Sequence, residues 1–276
     1  MKIFIPSYDR PNTIVTNKLL QNFDYEVLVH NKEQYDMYLK AGLVPEDKII
    51  CTNTKIGIGY QRKWVLQNTK ENNWIMMLDD NIQKFTCVDK SYYQNDFIDT
   101  RTKNGINYHY IYNKEILFID LLEKIEEMKK IADEKNIYLI GVAPYSNPFF
   151  RQKKYCFFRF VIGKIMIIKK QKKLNFNGEY SIMEDYFFTA ENLLHNGKTL
   201  INNFIHYKHK KFQEGGCGTY LEREKKKIEL SSILVEKYKG LFRFQKKAGQ
   251  HEKADVVIRL YKQKQIDKWR KEHAYI

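Results

Sequence analysis

The stretch Trp74-Ile75-Met76-Met77-Leu78-Asp79-Asp80-Asn81 constrains this chain more than any other. Five apolar residues run straight into two acids and an amide. That predicts a central strand, buried on both faces, that ends in carboxylates at the carboxyl edge of an α/β sheet. Open α/β sheets bind their ligands at that edge. Adjacent carboxylates repel unless a cation or hydrogen-bond donors compensate, so the pair predicts a divalent metal with oxygen ligands and, through it, a diphosphate. The competing reading is a strand end capped by solvated acids.

The chain before this strand repeats one unit. Lys2 to Pro6 is a short apolar strand, and Pro6-Ser-Tyr-Asp-Arg-Pro11 is a turn that cannot continue it; Asn12 or Thr13 then caps a helix to about Asn22. A strand from Glu26 to His30, a helix from Lys32 to about Ala41 with Gly42 as its stop, and a strand from Asp47 to Thr52 follow. Lys55-Ile-Gly-Ile-Gly-Tyr-Gln-Arg-Lys63 opens a third helix. Four strands alternating with three helices predict a mostly parallel sheet with right-handed crossovers. Gly57 and Gly59 free the backbone before the third helix, and Arg62 and Lys63 lie one turn in, within reach of a diphosphate or of the carboxylates at the sheet edge. Neither a G-x-G-x-x-G fingerprint nor a P-loop is present, and a structural glycine pair is an equal reading.

Beyond Asn81 the pattern loosens. Gln83 to Asn113 predicts an irregular loop or lid with short strands. A helix from about Lys114 to Lys135 carries Ile116, Ile119, Leu122, Ile125 and Met128 at helical spacing, a core stripe. Ile137 to Val142 is a strand, and Phe157 to Ile168 suits a long strand or hairpin. In Gly178-Glu-Tyr-Ser-Ile-Met-Glu184-Asp185, Ser181 offers a capping box that places both acids in the first turn of a helix, where they suit the helix dipole or supply a general base. Only one of the two acids is expected to face a site. Farther on, His206 or His209 could complete a metal shell, and the glycines of Gly215-Gly216-Cys-Gly218 would let a loop close over phosphate. Two basic helical patterns, about Tyr220 to Tyr238 and Glu252 to His273, end the chain.

Composition bounds the rest. At 276 residues and 43% hydrophobic, the chain fills one sizeable core with room for a small appended subdomain. No apolar run reaches membrane-span length and the start is no signal peptide, so the expectation is a cytoplasmic protein without a membrane partner. Cys51, Cys87, Cys156 and Cys217 stand far apart, signalling neither a zinc site nor a disulfide framework. The net charge of +15 is segregated: residues 151–173 hold nine Lys or Arg and no acid, and residues 208–276 hold nineteen against nine acids. Segregated charge predicts a polyanionic partner. Arg151, Lys153, Lys154, Arg159, Lys169, Lys170, Lys172 and Lys173 are the candidate DNA contacts, with the interleaved Tyr and Phe suited to base stacking. The bland alternative is a lysine-rich surface that keeps the chain soluble.

Taken together these stretches resemble a GT-A-type glycosyltransferase. Pro6-Ser7-x-x-Arg10 after the first strand, Gly57-x-Gly59-x-x-Arg62 opening a helix, Leu78-Asp79-Asp80-Asn81 ending a strand and Glu184-Asp185 at a later helix start carry the resemblance, in order, over about residues 1–218. The Asp-Asp-Asn-Ile form, the Gly-Ile-Gly-Tyr-Gln-Arg-Lys segment and Gly215-Gly216 followed by Arg223 most resemble the TET-associated glycosyltransferases, phage-type enzymes of DNA 5-hydroxymethylpyrimidine glycosylation.

The resemblance implies an α/β, Rossmann-like domain over 1–218 with a mostly parallel sheet flanked by helices, and a basic helical extension over 219–276. It implies a nucleotide-sugar donor, a UDP-sugar in the first instance, with Mn²⁺ or Mg²⁺, and hydroxymethylcytosine or hydroxymethyluracil in bacteriophage DNA as acceptor. Donor contacts fall on Pro6, Ser7, Tyr8, Arg10, Gly57, Gly59, Arg62, Lys63, Asp79, Gly215 and Gly216. Metal ligands fall on Asp79, Asp80 and Asn81 with His206 or His209, and the catalytic base on Asp185 with Glu184 as alternate. Asn81 departs from the usual motif, which ends in a metal-binding Asp, so metal would rest on Asp79 and Asp80 or bind weakly. Two other readings stand beside this one: a transferase acting on a polysaccharide or lipid-linked acceptor, and a non-catalytic DNA-binding protein on a transferase fold.

Overall fold

The computed structural model describes residues 1–88, 99–103, 106–110, 113–144, 153–210, 219–244, 256–260 and 262–273. The repeated units of the first half fold as expected. β1 (Lys2–Pro6), β2 (Glu26–Val29), β3 (Ile49–Cys51) and β4 (Trp74–Leu78) are parallel, β1 lying between β4 and β2 with β3 outermost. Helix α1 (Lys32–Ala41) starts at Asn31, whose side chain accepts from the Gln34 N–H, and stops at Gly42 with φ 64°. Helix α2 (Ile58–Gln67) starts at Gly57, whose φ of 137° requires glycine. The helix expected from Asn12 or Thr13 is only a 3₁₀ segment, Thr16–Leu20; Val15 and Thr16 donate their N–H groups to the Asp80 carbonyl, which ties this segment to the end of β4 instead.

The second half brings antiparallel neighbours into the main sheet, which stays mostly parallel as expected, with four of its seven strand pairings parallel. β5 (Ile82–Val88) leaves the main sheet, β6 (Asp99–Lys103) and β7 (Ile106–Tyr110) form a hairpin, and β8 (Asn113–Ile116) pairs with β5. After helix α3 (Phe118–Glu134), strand β9 (Leu139–Val142), edge strand β10 (Tyr155–Phe157) and β11 (Ile165–Lys169) follow. β11 runs antiparallel to both β4 and β9, because the chain re-enters it from the carboxyl edge of β4. Past helix α4 (Glu184–Asn196), β12 (Leu200–Asn202) lies between β9 and β10, and β13 (Ile205–His209) joins β5. The eight-stranded order is β10-β12-β9-β11-β4-β1-β2-β3.

β4 feeds two cores. Met76 and Leu78 face Ile125 and Met128 of α3, while Ile75 and Met77 face Val65 and Leu66 of α2. Each such side chain contributes about 1.5–3 kcal/mol by leaving water, so the acids at the end of β4 sit on rigid support. The α3 stripe differs from expectation: Phe118, Leu121, Ile125, Met128 and Ala132 are buried and Ile119 is exposed, because residues 113–116 belong to β8.

The described residues between 219 and 273 pack on the helix Glu184–Asn196. Helix α5 (Tyr220–Lys237), the hairpin of β14 (Phe242–Phe244) and β15 (Val256–Ile258), and helix α6 (Gln263–Glu272) replace the second long helix expected there. Leu230, Leu234, Tyr238 and Trp269 share a core with Phe187, Ala190 and Leu193 of α4. Arg270 adds donors to the Leu194 and His195 carbonyls at 2.8 and 2.6 Å, at the end of α4. No described helix is long and apolar enough to cross a membrane.

Candidate active site

The turn after β1 is held by the acid after Asp79. Asp80 is buried; its Oδ1 accepts from Arg10 Nη1 at 2.6 Å and its Oδ2 accepts from the Ser7 hydroxyl at 2.6 Å. Tyr38 of α1 closes the group, its hydroxyl 2.5 Å from Ser7 Oγ and accepting from the Arg10 N–H at 3.1 Å. Burial raises the Asp80 carboxyl above its usual range against the pull of Arg10 and Ser7. Both oxygens are spent on the Pro6–Arg10 turn, so Asp80 is a structural pin where a metal ligand was expected.

Arg62, on the second turn of α2, reaches carboxylates rather than open space. Fully buried, it donates from Nη1 to Glu184 Oε1 at 2.6 Å and from Nη2 to Asp79 Oδ1 at 3.0 Å and to the Gly163 carbonyl at 2.7 Å. A Cβ on Gly163 would stand 2.5 Å from Arg62 Nη1, so a larger residue there would displace the guanidinium. The next residue, Lys164, donates from Nζ to Asp79 Oδ2 at 2.5 Å and to Asn81 Oδ1 at 3.2 Å, and its carbonyl accepts the Asp79 N–H at 3.1 Å. Burial pushes the Asp79 carboxyl up, but Lys164 and Arg62 outweigh it and hold the group below its usual range. Sequence reasoning misses Gly163 and Lys164, although Gly-Lys immediately before an apolar strand is itself a turn signal at a sheet edge.

Helix α4 begins at Met183, which adopts φ 60°, so Ser181 is not the cap that the capping-box pattern predicts. The two acids then diverge. Glu184 is buried against Arg62, and burial lifts its carboxyl to about 7, opposed by Arg62 and helped by Asp185. Asp185 remains partly exposed; its Oδ2 accepts from the Gly163 N–H at 2.7 Å and its Oδ1 from the Tyr186 N–H at 2.9 Å. Burial raises its carboxyl as well.

These groups line one cavity of about 790 Å³, a volume typical of small-molecule sites. Pro6, Ser7, Tyr8, Arg10, Gly57, Arg62, Asp79, Asp80, Asn81, Glu184, Asp185 and His209 all line it. His30, which the sequence does not single out, lies behind Tyr8 with ring centroids 5.4 Å apart and accepts the Gly57 N–H on Nε2 at 3.4 Å. Burial pushes its imidazole down to about 4, leaving it neutral at pH 7. Lys210, Arg223 and Lys226 supply a basic side that the sequence shows only as a general charge excess.

Other expected residues fall elsewhere. Gly59 packs under the 177–180 loop, where a Cβ would stand 2.6 Å from the Tyr180 carbonyl, and Lys63, one residue beyond Arg62 on the helix, does not line the cavity. His206 does not line it either: its Nδ1 is 2.9 Å from the Ala143 carbonyl. Gly215, Gly216 and Arg151 lie outside the described residues.

The acids at the end of β4 do not fit a divalent cation. All four carboxylate oxygens of Asp79 and Asp80 have a partner at 2.5–3.0 Å, three of them cationic, and Asn81 gives its Nδ2 to the Lys210 carbonyl at 3.1 Å. A divalent ion on Asp79 beside the Lys164 ammonium would add repulsion of about 8 kcal/mol at 4 Å for an effective dielectric of 20. Among the described residues no group of three His, Cys, Asp or Glu is arranged to hold a metal.

The basic stretch 153–173 is dispersed. Lys169 pairs with Trp74 at the start of β4, so Lys169, Lys170, Lys172 and Lys173 lie a strand length from Asp79, roughly 16 Å by strand rise. Lys169 is ion-paired with Asp133 at 2.9 Å, and Lys170 is nearly buried. Thr199 donates its hydroxyl to the Arg159 carbonyl near the start of β12, also at the far edge. Lys153 and Lys154 precede edge strand β10, on the site's edge but four strands from β4. Tyr155 and Phe157 pack, partly buried, on the α3-side core, whereas Phe158 and Phe160 pack on the core that holds Leu230 and Trp269, so the four rings are divided between two cores.

The α/β sheet places its cavity at the carboxyl edge of β4, with paired acids at two element ends. Residues 1–217 match the TET-Associated Glycosyltransferase family, and the chain belongs to that family. Solved structures to which the chain is similar include residues 1–349 of S. aureus TarS, at TM-score 0.49 and 12% identity over 99% of this chain and 70% of that one. The same TarS fragment in complex with UDP gives TM-score 0.49 at 13% identity with the same coverage. The longer S. aureus TarS chain gives TM-score 0.46 at 12% identity over 99% of this chain and 42% of its own. No curated protein matches the chain in sequence.

Proposed function

We propose that this glycosyltransferase moves a sugar from a nucleoside diphosphate sugar, a UDP-sugar in the first instance, to the hydroxymethyl group of a 5-hydroxymethylpyrimidine in phage DNA, in the cytoplasm of the host cell. The observation that carries the reading is Asp185: a carboxylate fixed by two backbone N–H groups, raised in pKa by burial, at the wall of a cavity with a basic side formed by Lys210, Arg223 and Lys226. Family membership supports the transfer, and the family's association with TET chemistry supports the acceptor.

In this reading Tyr8 and His30 border the nucleoside and the Pro6–Arg10 and Gly57 turns hold the rest of the donor. Asp185 takes the proton from the acceptor hydroxyl as its oxygen attacks the anomeric carbon. The bond from that carbon to the diphosphate oxygen breaks, and the nucleoside diphosphate leaves with the electron pair. Glu184 and Arg62 position the start of α4. A base in duplex DNA would be flipped out to reach Asp185, at a cost of about a few kcal/mol. The Mn²⁺ or Mg²⁺ implied by the sequence resemblance does not suit the residues present, because the Asp79 and Asp80 oxygens are taken by Arg62, Lys164, Arg10 and Ser7.

The test is incubation with a panel of nucleotide sugars and DNA containing 5-hydroxymethylcytosine or 5-hydroxymethyluracil, followed by mass analysis of the digested nucleosides. A hexose or pentose gain on one modified base is expected. Release of nucleoside diphosphate without a gain on either base would move the acceptor to a saccharide.

A further inference from the structure

Lys164 occupies the place between Asp79 and Asn81 where the GT-A resemblance puts a divalent cation. Its Nζ lies 2.5 Å from Asp79 Oδ2 and 3.2 Å from Asn81 Oδ1, and its backbone carbonyl accepts the Asp79 N–H at 3.1 Å, so side chain and main chain are both registered on the end of β4. An ammonium has three donors; two go to these oxygens, and the side chain, about a quarter exposed, lines the cavity. Asn81 is the matching half of the arrangement. An amide oxygen accepts from a lysine without adding the negative charge that a divalent ion would require.

The charge around the cavity points the same way. Arg10, Arg62, Lys164, Lys210, Arg223 and Lys226 line it against four carboxylates. Such a site carries its own positive excess. Oriented Lys and Arg groups are an established alternative to a metal for stabilising charge on a phosphoryl leaving group.

We infer that Lys164 is a fixed intramolecular replacement for the divalent cation: its ammonium, anchored by Asp79 and Asn81, contacts the donor's diphosphate and stabilises the negative charge that leaves, so that donor binding and transfer need no metal. Arg62 acts behind it as a positioning residue by holding the other Asp79 oxygen. The inference rests on the nucleoside diphosphate sugar reading of the cavity but not on the identity of the acceptor.

The experiment is calorimetric titration of the full chain with UDP, GDP, ADP and CDP, in EDTA and in Mn²⁺, for wild type, Lys164→Met and Lys164→Arg. Thermal denaturation of each variant verifies folding. The expected result is that the best of these ligands binds wild type with the same affinity, within about threefold, in EDTA and in Mn²⁺. Without the charge-assisted hydrogen bond from the ammonium, Lys164→Met should bind about 10- to 100-fold more weakly, and Lys164→Arg should recover most of that affinity. A tenfold or greater gain on adding Mn²⁺ to wild type, or undiminished binding by a folded Lys164→Met, overturns the inference while leaving the transferase reading intact. Absence of binding by all four nucleotides in both conditions overturns both.

Discussion

Arg62 Nη1 donates to Glu184 Oε1 at 2.6 Å, joining side chains 122 residues apart in the chain. That hydrogen bond sets the geometry of the site. It locks the helix that follows the Gly57 turn to the first turn of α4, while the same guanidinium holds Asp79 and the Gly163 carbonyl. Removing one member of a buried ion pair leaves the other charge uncompensated.

Arg62→Ala is therefore expected to destabilise the protein by about 3–5 kcal/mol. Urea denaturation followed by circular dichroism measures it, and a loss below about 1 kcal/mol, the range of a surface pair, would show that the pair is not the clamp described here.

Asp185→Asn keeps one acceptor oxygen, enough for either the Gly163 or the Tyr186 N–H but not both, and cannot take a proton. Transfer should fall by about 10²- to 10⁴-fold, with nucleotide affinity near wild type and a melting temperature lowered by the loss of about one hydrogen bond. Glu184→Gln should show the reverse emphasis: a larger change in melting temperature, and a residual rate well above that of Asp185→Asn.

Two pH dependences follow from the raised carboxyls. Asp185 must be ionised to accept a proton, so the transfer rate should rise with pH through a limb above the usual aspartate range. For stability the sign is opposite to that of an ordinary salt-bridged acid. Between about 4.5 and about 7 the folded state keeps the Glu184 proton that the unfolded chain has lost, so this group's contribution is present below that window and disappears as pH rises through it. Wild type minus Glu184→Gln, compared by denaturation at pH 5 and pH 8, should show the loss at pH 8.

Charge position distinguishes the two basic regions. Lys210, Arg223 and Lys226 line the cavity, whereas Lys172 and Lys173 lie at the opposite sheet edge. Alanine at each of the first three should weaken DNA binding and lower the salt slope by about one for each phosphate left without its cation. The double variant Lys172→Ala/Lys173→Ala should leave both near wild type in filter binding across a salt series.

Gly59→Ala tests packing against phosphate binding. Its Cβ would stand 2.6 and 2.7 Å from the Tyr180 and Asn177 carbonyls, a strain of about 1–3 kcal/mol. The prediction is a lower melting temperature with nucleotide affinity changed far less than by Lys164→Met.

Much of the architecture was legible in the chain because it is encoded locally. The apolar run ending at Asp79, the Gly42 stop of α1, the break at Gly57 and the first-turn acids of α4 depend on neighbours within about four residues. What those residues do was decided by tertiary structure. Asp79 and Asp80 look equivalent in sequence, yet one sits between Arg62 and Lys164 and the other is buried under Arg10 and Ser7. The run from Arg151 to Lys173 reads as one basic patch, but antiparallel β11 carries Lys164 into the site and Lys169 to the opposite edge. Strand direction and sheet order determine which charges separated by 85 or 122 residues become partners, and neither is written in the periodicity of any single element.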